Sequence, residues 1–151
     1  MRRELNSGQS LNDLIIDQFE NLKCMRNDQE NLIVDLTFKF SLMTIEYCEK
    51  LENEKKHVLA RQLLKSGTSI GANVREAQNA ESKADFIHKF KIAAKEADEN
   101  EYWILLCKES KNYPDPENLL KALKSIIRII SKIISSSKSP SSNLQIDESS
   151  N

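Results

Sequence analysis

The sequence predicts an all-α protein that folds as an up-down antiparallel four-helix bundle. The chain has 151 residues but only three glycines and three prolines. Because sheet proteins need many turns, this scarcity favours long helices with few connections. Four segments then show apolar residues at helical spacing, and short loops between them predict that successive helices run antiparallel.

The composition is that of a globular protein without strong electrostatic bias. Hydrophobic residues make up 39%, charged residues 30%, and the net charge is −1. No charge excess directs the chain to nucleic acid or to an anionic membrane, so such binding would need a local patch. We find no signal peptide and no apolar run approaching roughly 18 residues, and the three cysteines are widely spaced. A cytoplasmic protein with reduced thiols is expected, without membrane contact.

Three parts are predicted along the chain. Residues 1–30 form an N-terminal extension, with apolar residues spaced for a short amphipathic helix. Residues 31–134 form the bundle. In residues 135–151, eight of the 17 positions are serine. Such a segment buries too little apolar surface to offset the entropy of ordering, so we expect a disordered tail.

The helix boundaries follow from capping residues and prolines. The helices are predicted from about residue 31 to 51, 55 to 80, 83 to 111, and 116 to 135. Ser82 and Asp85 resemble a capping box before the third helix, with Asp in the Glu position. Asp115, Pro116 and Glu117 supply an N-cap, a first-turn proline and an acid at the positive end of the fourth helix.

Each helix gathers apolar residues on one face when residues are placed at about 100° per step. The predicted core residues are Leu36, Phe40, Met43, Tyr47 and Leu51 in the first helix; Leu59, Leu63, Ile70, Val74 and Ala77 in the second; Phe86, Phe90, Ala93, Ala97 and Ile104 in the third; and Leu119, Leu123, Ile126, Ile130 and Ile134 in the fourth. Four such faces make one bundle core.

The first and third helices carry further apolar residues opposite their core faces. These are Val34, Phe38, Leu42 and Ile45, and Ile92, Trp103 and Leu106. A monomeric bundle would expose them, and large exposed apolar patches usually mark contact surfaces. We therefore predict that they form the interface of a homo-oligomer. The alternative is that the N-terminal extension folds back over them.

Two stretches carry a resemblance to a known family. Residues 61–77, RQLLKSGTSIGANVREA, closely resemble the second helix of the four-helix-bundle proteins encoded in intervening sequences of bacterial large-subunit ribosomal RNA genes. The matching residues are Gln62, Lys65, Ser66, Ser69, Ile70, Ala72, Asn73 and Glu76. Residues 82–103, SKADFIHKFKIAAKEADENEYW, are similar to the family's third helix. The family motif usually closes with Glu-Gly, whereas Ala77 follows Glu76 here, so the second helix is expected to run longer.

The resemblance implies an up-down bundle that assembles as a homopentamer, and it implies no known reaction. A related bundle serves as an accessory to diversity-generating reverse transcriptases and is thought to bind nucleic acid. RNA or DNA is therefore a second partner to consider, besides another copy of the chain.

Small and polar residues of the second helix allow structural and functional interpretations. Gly67 and Gly71 favour close approach of a neighbouring helix, because small side chains let two backbones come near and this gain offsets the cost of glycine in a helix. The alternative, a phosphate-binding loop, would need a preceding strand and a Lys-Ser/Thr ending, and both are missing. A polar edge of the same helix either hydrogen-bonds a neighbouring helix or subunit, or holds a small ligand. This edge consists of Gln62, Ser69, Asn73 and Glu76.

No catalytic, cofactor-binding or metal site is predicted. His57 and His88 each follow a carboxylate by three residues, as in di-iron bundles. They lie near the starts of antiparallel helices, so they should be on the order of 25 Å apart at about 1.5 Å per residue. The cysteines and histidines lack zinc spacing, and no Ser-His-Asp or Cys-His arrangement is legible.

Four bases of the fourth helix, Lys121, Lys124, Arg128 and Lys132, lie opposite its apolar face. They are either a solvated face or a stripe able to contact phosphates. The sequence thus favours a non-catalytic homo-oligomeric scaffold or adaptor, with an RNA- or DNA-binding accessory as the alternative.

Overall fold

A computed structural model of the chain describes residues 31–138, and its regular elements there are all α-helices. They are α1 (Leu32–Asn53), α2 (His57–Ala77), α3 (Lys83–Glu109) and α4 (Glu117–Lys138). The described range contains no strand, which confirms the predicted all-α class.

The four helices occupy the corners of a square in chain order. Contacts join α1 to α2, α2 to α3, α3 to α4, and α4 back to α1. Between residues 31 and 138 no backbone approach within 8 Å links the diagonal pairs, α1 with α3 or α2 with α4. Since the connections are short, successive helices run antiparallel. The up-down four-helix bundle is therefore confirmed.

Both predicted helix starts are built as their sequences suggest. Ser82 Oγ accepts a hydrogen bond from the backbone N–H of Asp85 at 3.1 Å. In return, the Asp85 carboxylate accepts the backbone N–H of Glu81 at 3.3 Å. At α4, Asp115 Oδ1 accepts the N–H of Glu117 at 3.0 Å. These bonds satisfy donors that the first helical turn would otherwise leave unpaired.

The end of α1 is a Schellman motif without its usual glycine. The N–H of Lys55 donates to the carbonyl of Glu52 at 2.9 Å, and the N–H of Lys56 donates to the carbonyl of Leu51 at 2.8 Å. Lys55 therefore takes a left-handed backbone conformation with φ of 62°. This conformation strains a residue that has a side chain.

The second helix is shorter than predicted. It ends at Ala77, although we expected it to continue to about residue 80. The next three N–H groups, those of Gln78, Asn79 and Ala80, each donate to the carbonyl three residues earlier. Bonds of this type form a tighter turn that closes the helix without a glycine.

The core contains the predicted apolar faces. All five predicted residues of α1 are buried, as are most of those in the other helices. Leu59, Phe86 and Ile134 are half-buried near helix ends and pack against the core. Four polar residues are also buried: Thr37, Thr44, Ser66 and Asn100.

The predicted outer parts of the chain are only partly within the described range. α4 continues to Lys138, four residues beyond the predicted end of the bundle. The predicted N-terminal extension and the remainder of the serine-rich tail lie outside the described residues.

Candidate functional site

The outer face of α1 leaves large apolar side chains exposed. Phe38 is 56% exposed, Leu42 38% and Ile45 39%. Val34 differs from the prediction because it is half-buried and packs against the core. It lies at the margin of the face, where α1 meets α2. These four residues, Val34, Phe38, Leu42 and Ile45, are called the α1 surface below.

A groove of about 320 Å³ lies beside the α1 surface, between α1 and α2. Phe38 and Ser41 line it on α1, and Thr68 and Arg75 line it on α2. Gly71 lies at its base, where an added Cβ would be 3.3 Å from the Thr37 carbonyl oxygen. The close approach of α1 and α2 at Gly71 therefore forms the floor of the groove.

Gly67 brings α2 close to both neighbouring helices. A Cβ added there would lie 2.7 Å from Thr44 Cγ2 on α1 and 3.2 Å from Asn100 Nδ2 on α3. Real carbon atoms essentially never come as close as the first of these distances. The structure thus supports helix packing as the reason for glycine in mid-helix, where it costs about 1 kcal/mol relative to alanine.

The α2–α3 contact is organised around Asn100, which sequence reasoning missed. Its side chain is fully buried, and Nδ2 donates to the Leu63 carbonyl at 3.0 Å and to Ser66 Oγ at 2.9 Å. Its Oδ1 has no hydrogen-bond partner. The available signal was position: Asn100 follows Ala97 by three residues and precedes Ile104 by four, so it continues the core face of α3.

The predicted polar edge of α2 lies along this contact. Gln62, Ser69 and Asn73 are half-buried, and Asn73 Nδ2 donates to the Ser69 carbonyl at 2.9 Å. The Glu76 carboxylate reaches α3 and accepts a hydrogen bond from Lys89 Nζ at 2.6 Å. This pair raises the pKa of Lys89 through the hydrogen bond and the charge of Glu76.

Three apolar residues of α3 lie on the side of the bundle that carries the polar edge of α2. Ile92, Trp103 and Leu106 are all half-buried. Trp103 was expected opposite the core, but it packs against the core, and its indole N–H donates to Glu99 at 3.2 Å. The cause is its position only three residues from Asn100, on the side of α3 that meets α2.

The structure therefore brings two predicted residue sets together. The bonds of Asn100 and of Lys89 fix the α2–α3 register, which puts Trp103 level with Gln62 and Ile92 level with Asn73. We call the combined set the α2–α3 surface. It consists of Gln62, Ser69, Asn73 and Glu76 on α2 and of Ile92, Trp103 and Leu106 on α3.

A cluster of buried ionisable groups lies at the other end of the bundle. Tyr47 donates to the Pro114 carbonyl at 2.7 Å, and Cys48 Sγ donates to the Ala60 carbonyl at 3.3 Å. Burial raises the pKa of Tyr47 and Cys107, and it raises the pKa of Cys48 to about 12. Thiols held in the neutral form are poor nucleophiles.

The basic stripe of α4, formed by Lys121, Lys124, Arg128 and Lys132, is exposed along its whole length. The acid of this helix within the described residues is Glu117, whose carboxylate accepts a hydrogen bond from Lys108 Nζ at 3.0 Å. That contact lowers the pKa of Glu117. Within the described part of α4, the acid that could neutralise the stripe is therefore already paired with Lys108.

Among residues 31–138, no group of three or more His, Cys, Asp or Glu side chains is placed to hold a metal ion. None of the four helices is both long and apolar enough to span a membrane.

Comparison with known proteins gives the chain a family. The model of the 23S rRNA-intervening sequence protein family matches residues 29–136. The chain is 39% identical to a protein of unknown function from the S23 ribosomal protein family of Bacteroides thetaiotaomicron, whose crystal structure it matches with a TM-score of 0.65. That match covers 68% of this chain and 97% of the other. A search of the curated proteins finds no match. The chain therefore belongs to the 23S rRNA-intervening sequence protein family.

Proposed function

We propose that this protein is a non-catalytic subunit of a cytoplasmic homo-oligomer, in which the helical bundle acts as a scaffold or adaptor. One observation carries the proposal: Phe38, Leu42 and Ile45 are exposed together on one helix. Burying apolar area is worth roughly 25 cal/mol per Å². Contact with another copy would therefore stabilise a surface that a lone bundle exposes to water.

The chemistry of the bundle supports a non-catalytic role. Cys48 and Cys107 are held in the neutral form by burial, which raises the pKa of both thiols. His57 and His88, the two histidines of the chain, lie near the starts of different helices. The resemblance to the family implies a pentamer, which is the assembly we expect.

The test uses two glutamate substitutions on α1. Phe38→Glu places a charge in the α1 surface and should reduce the mass in solution, because an unpaired charge is costly to bury at an interface. Leu32→Glu is the matched control: Leu32 is 39% exposed but lies about 120° around the helix from Phe38. Light scattering would measure both masses, and circular dichroism would confirm folding. An unchanged mass for Phe38→Glu would exclude the α1 surface.

A second candidate function is nucleic-acid binding through the basic stripe. It is favoured by the exposure of all four bases and by the pairing of Glu117 with Lys108. Repetition of the stripe around an oligomer would multiply its contacts with phosphates. The acids Glu96, Asp98, Glu99 and Glu101 on α3 oppose it, because they reduce the positive potential of the assembly.

The stripe is tested by titration with RNA and DNA at about 50 mM salt. Serine at all four positions should weaken binding to every sequence alike, because phosphate contacts carry no sequence information. If the unaltered protein binds neither RNA nor DNA, nucleic-acid binding is excluded and the scaffold role is the proposal that remains.

A further inference from the structure

We infer that the α1 surface of one copy docks on the α2–α3 surface of a second copy. This inference rests on the proposed self-association, and it names the surface that receives α1. The partner is thus a second copy of this chain in a defined orientation.

The two surfaces differ in chemistry and lie on different sides of the bundle. The α1 surface is apolar, whereas the α2–α3 surface alternates half-buried apolar groups with the amides of Gln62 and Asn73. Identical surfaces suit a two-fold contact, in which each patch meets itself. Two unlike surfaces on one chain suit a heterologous contact, in which each copy uses one surface to give and the other to receive.

Heights along the bundle can be compared through contacts within one chain. Cys48 Sγ donates to the Ala60 carbonyl, and Gly71 lies against the backbone of Thr37, which sets the α1–α2 register. The two bonds of Asn100 set the α2–α3 register. Each position on α1 therefore has a known level on α2 and on α3.

The apolar groups of the two surfaces occupy the same levels. Phe38 lies level with Ile92, and Ile45 lies level with Trp103, each within about two residues or roughly 3 Å. Neither Ile92 nor Leu106 belongs to the half-buried residues that pack against the core. If two copies lie side by side with parallel bundle axes and no axial shift, the apolar side chains of α1 in one copy would therefore meet those of α3 in the other.

One pair of opposite charges also fits this arrangement. Glu46 borders the apolar face of α1, and Lys65 borders the polar edge of α2 at a similar level. The salt bridges within residues 31–138 involve neither of these two side chains. Glu99 is the acid nearest Trp103, and its carboxylate already accepts the indole N–H. Glu46 of one copy would then face Lys65 of the next, while Glu96 and Glu99 keep their negative charge on the α3 side of the receiving surface.

Copies that keep the same height and direction are related by rotation about an axis along the bundle. α1 of one copy then runs antiparallel to α2 and parallel to α3 of its neighbour. A heterologous contact of this kind closes into a ring when the rotation divides a full turn.

The test mixes two variants, each damaged on one surface. Phe38→Glu damages the α1 surface and Ile92→Glu damages the α2–α3 surface, and circular dichroism checks that each is folded. If Ile92→Glu fails to fold, Leu106→Glu replaces it. The control is Leu105→Glu, since Leu105 is 39% exposed but lies on the α4 side of α3. Masses are measured by light scattering for each variant alone and for the equimolar mixture.

Each variant alone should remain at the chain mass of 17.3 kDa, while the mixture should form a dimer of about twice that mass. In the mixture, the intact α1 surface of Ile92→Glu can dock on the intact α2–α3 surface of Phe38→Glu. The two remaining surfaces of this dimer are both damaged, so a third copy cannot bind. Leu105→Glu should assemble like the unaltered protein. Assembly of Ile92→Glu alone, or a mixture that stays monomeric, would overturn this pairing and leave self-association itself intact. A monomeric unaltered protein would instead overturn the proposed function and this inference with it.

Discussion

The buried amide of Asn100 is the residue that joins α2 to α3 most specifically. Its two donated hydrogen bonds hold one turn of α2, and its own oxygen has no partner. A buried oxygen without a partner costs free energy, so the side chain gives less stability than its donated bonds alone would suggest. Its gain is specificity, because the bonds form in one register.

Replacing Asn100 by alanine should lower the free energy of unfolding by about 1–3 kcal/mol, through two lost hydrogen bonds and a small cavity. Asn118→Ala is the control, since Asn118 is exposed on α4 and should change stability by less than about 0.5 kcal/mol. Urea denaturation measures both. A variant at position 100 as stable as the unaltered protein would mean that the unpaired oxygen cancels the bonds.

Tyr47, Cys48 and Cys107 should make the bundle sensitive to alkaline pH. Burial raises the pKa of each, that of Cys48 from 9.0 to about 12. The folded state then holds these protons more tightly than the unfolded state. Their contribution is fully present below about pH 9 and is lost as the pH rises towards the folded pKa values.

The free energy of unfolding should therefore fall between about pH 9 and 11. Denaturant titrations at several pH values measure it, and Cys48→Ala should show a shallower decline because one of the shifted groups is gone. A constant free energy across this interval would contradict the burial of these groups.

At the scale of the elements, helix boundaries were less predictable than helix faces. The faces follow from apolar spacing, and core residues such as Phe40 and Ile126 are fully buried. The predicted end of α2 was wrong, because the turns after Ala77 depend on backbone hydrogen bonds to the carbonyl three residues earlier. No residue type in this stretch indicates those bonds. The close approach at Gly67 was legible, because a mid-helix glycine needs a compensating gain.

The Schellman motif of α1 gives a prediction at this scale. Lys55→Gly should raise the free energy of unfolding by about 1 kcal/mol, because glycine adopts the left-handed conformation without strain. Asn112, with φ of 64°, is the control, and Asn112→Gly should gain less because asparagine tolerates this conformation. Thermal unfolding compares them. Destabilisation by Lys55→Gly would show that the lysine side chain contributes more than the strain it causes.

At the scale of the whole molecule, the sequence allowed the bundle and its family to be predicted, but not how its surfaces combine. Both sets on the α2–α3 surface were identified separately, because spacing within a helix says nothing about the level of its neighbour. Asn100 supplies that level, and it was missed because one asparagine in an apolar pattern resembles an interruption. Trp103 was predicted too far from the core because the predicted core face of α3, without Asn100, lay farther from it.

The mass of the unaltered protein in solution tests the central claim most directly. Sedimentation equilibrium at high micromolar concentration should give a multiple of the 17.3 kDa chain mass, since association would cover the α1 surface. A single species at the chain mass would contradict the account, because Phe38, Leu42 and Ile45 would then have no second copy to cover them.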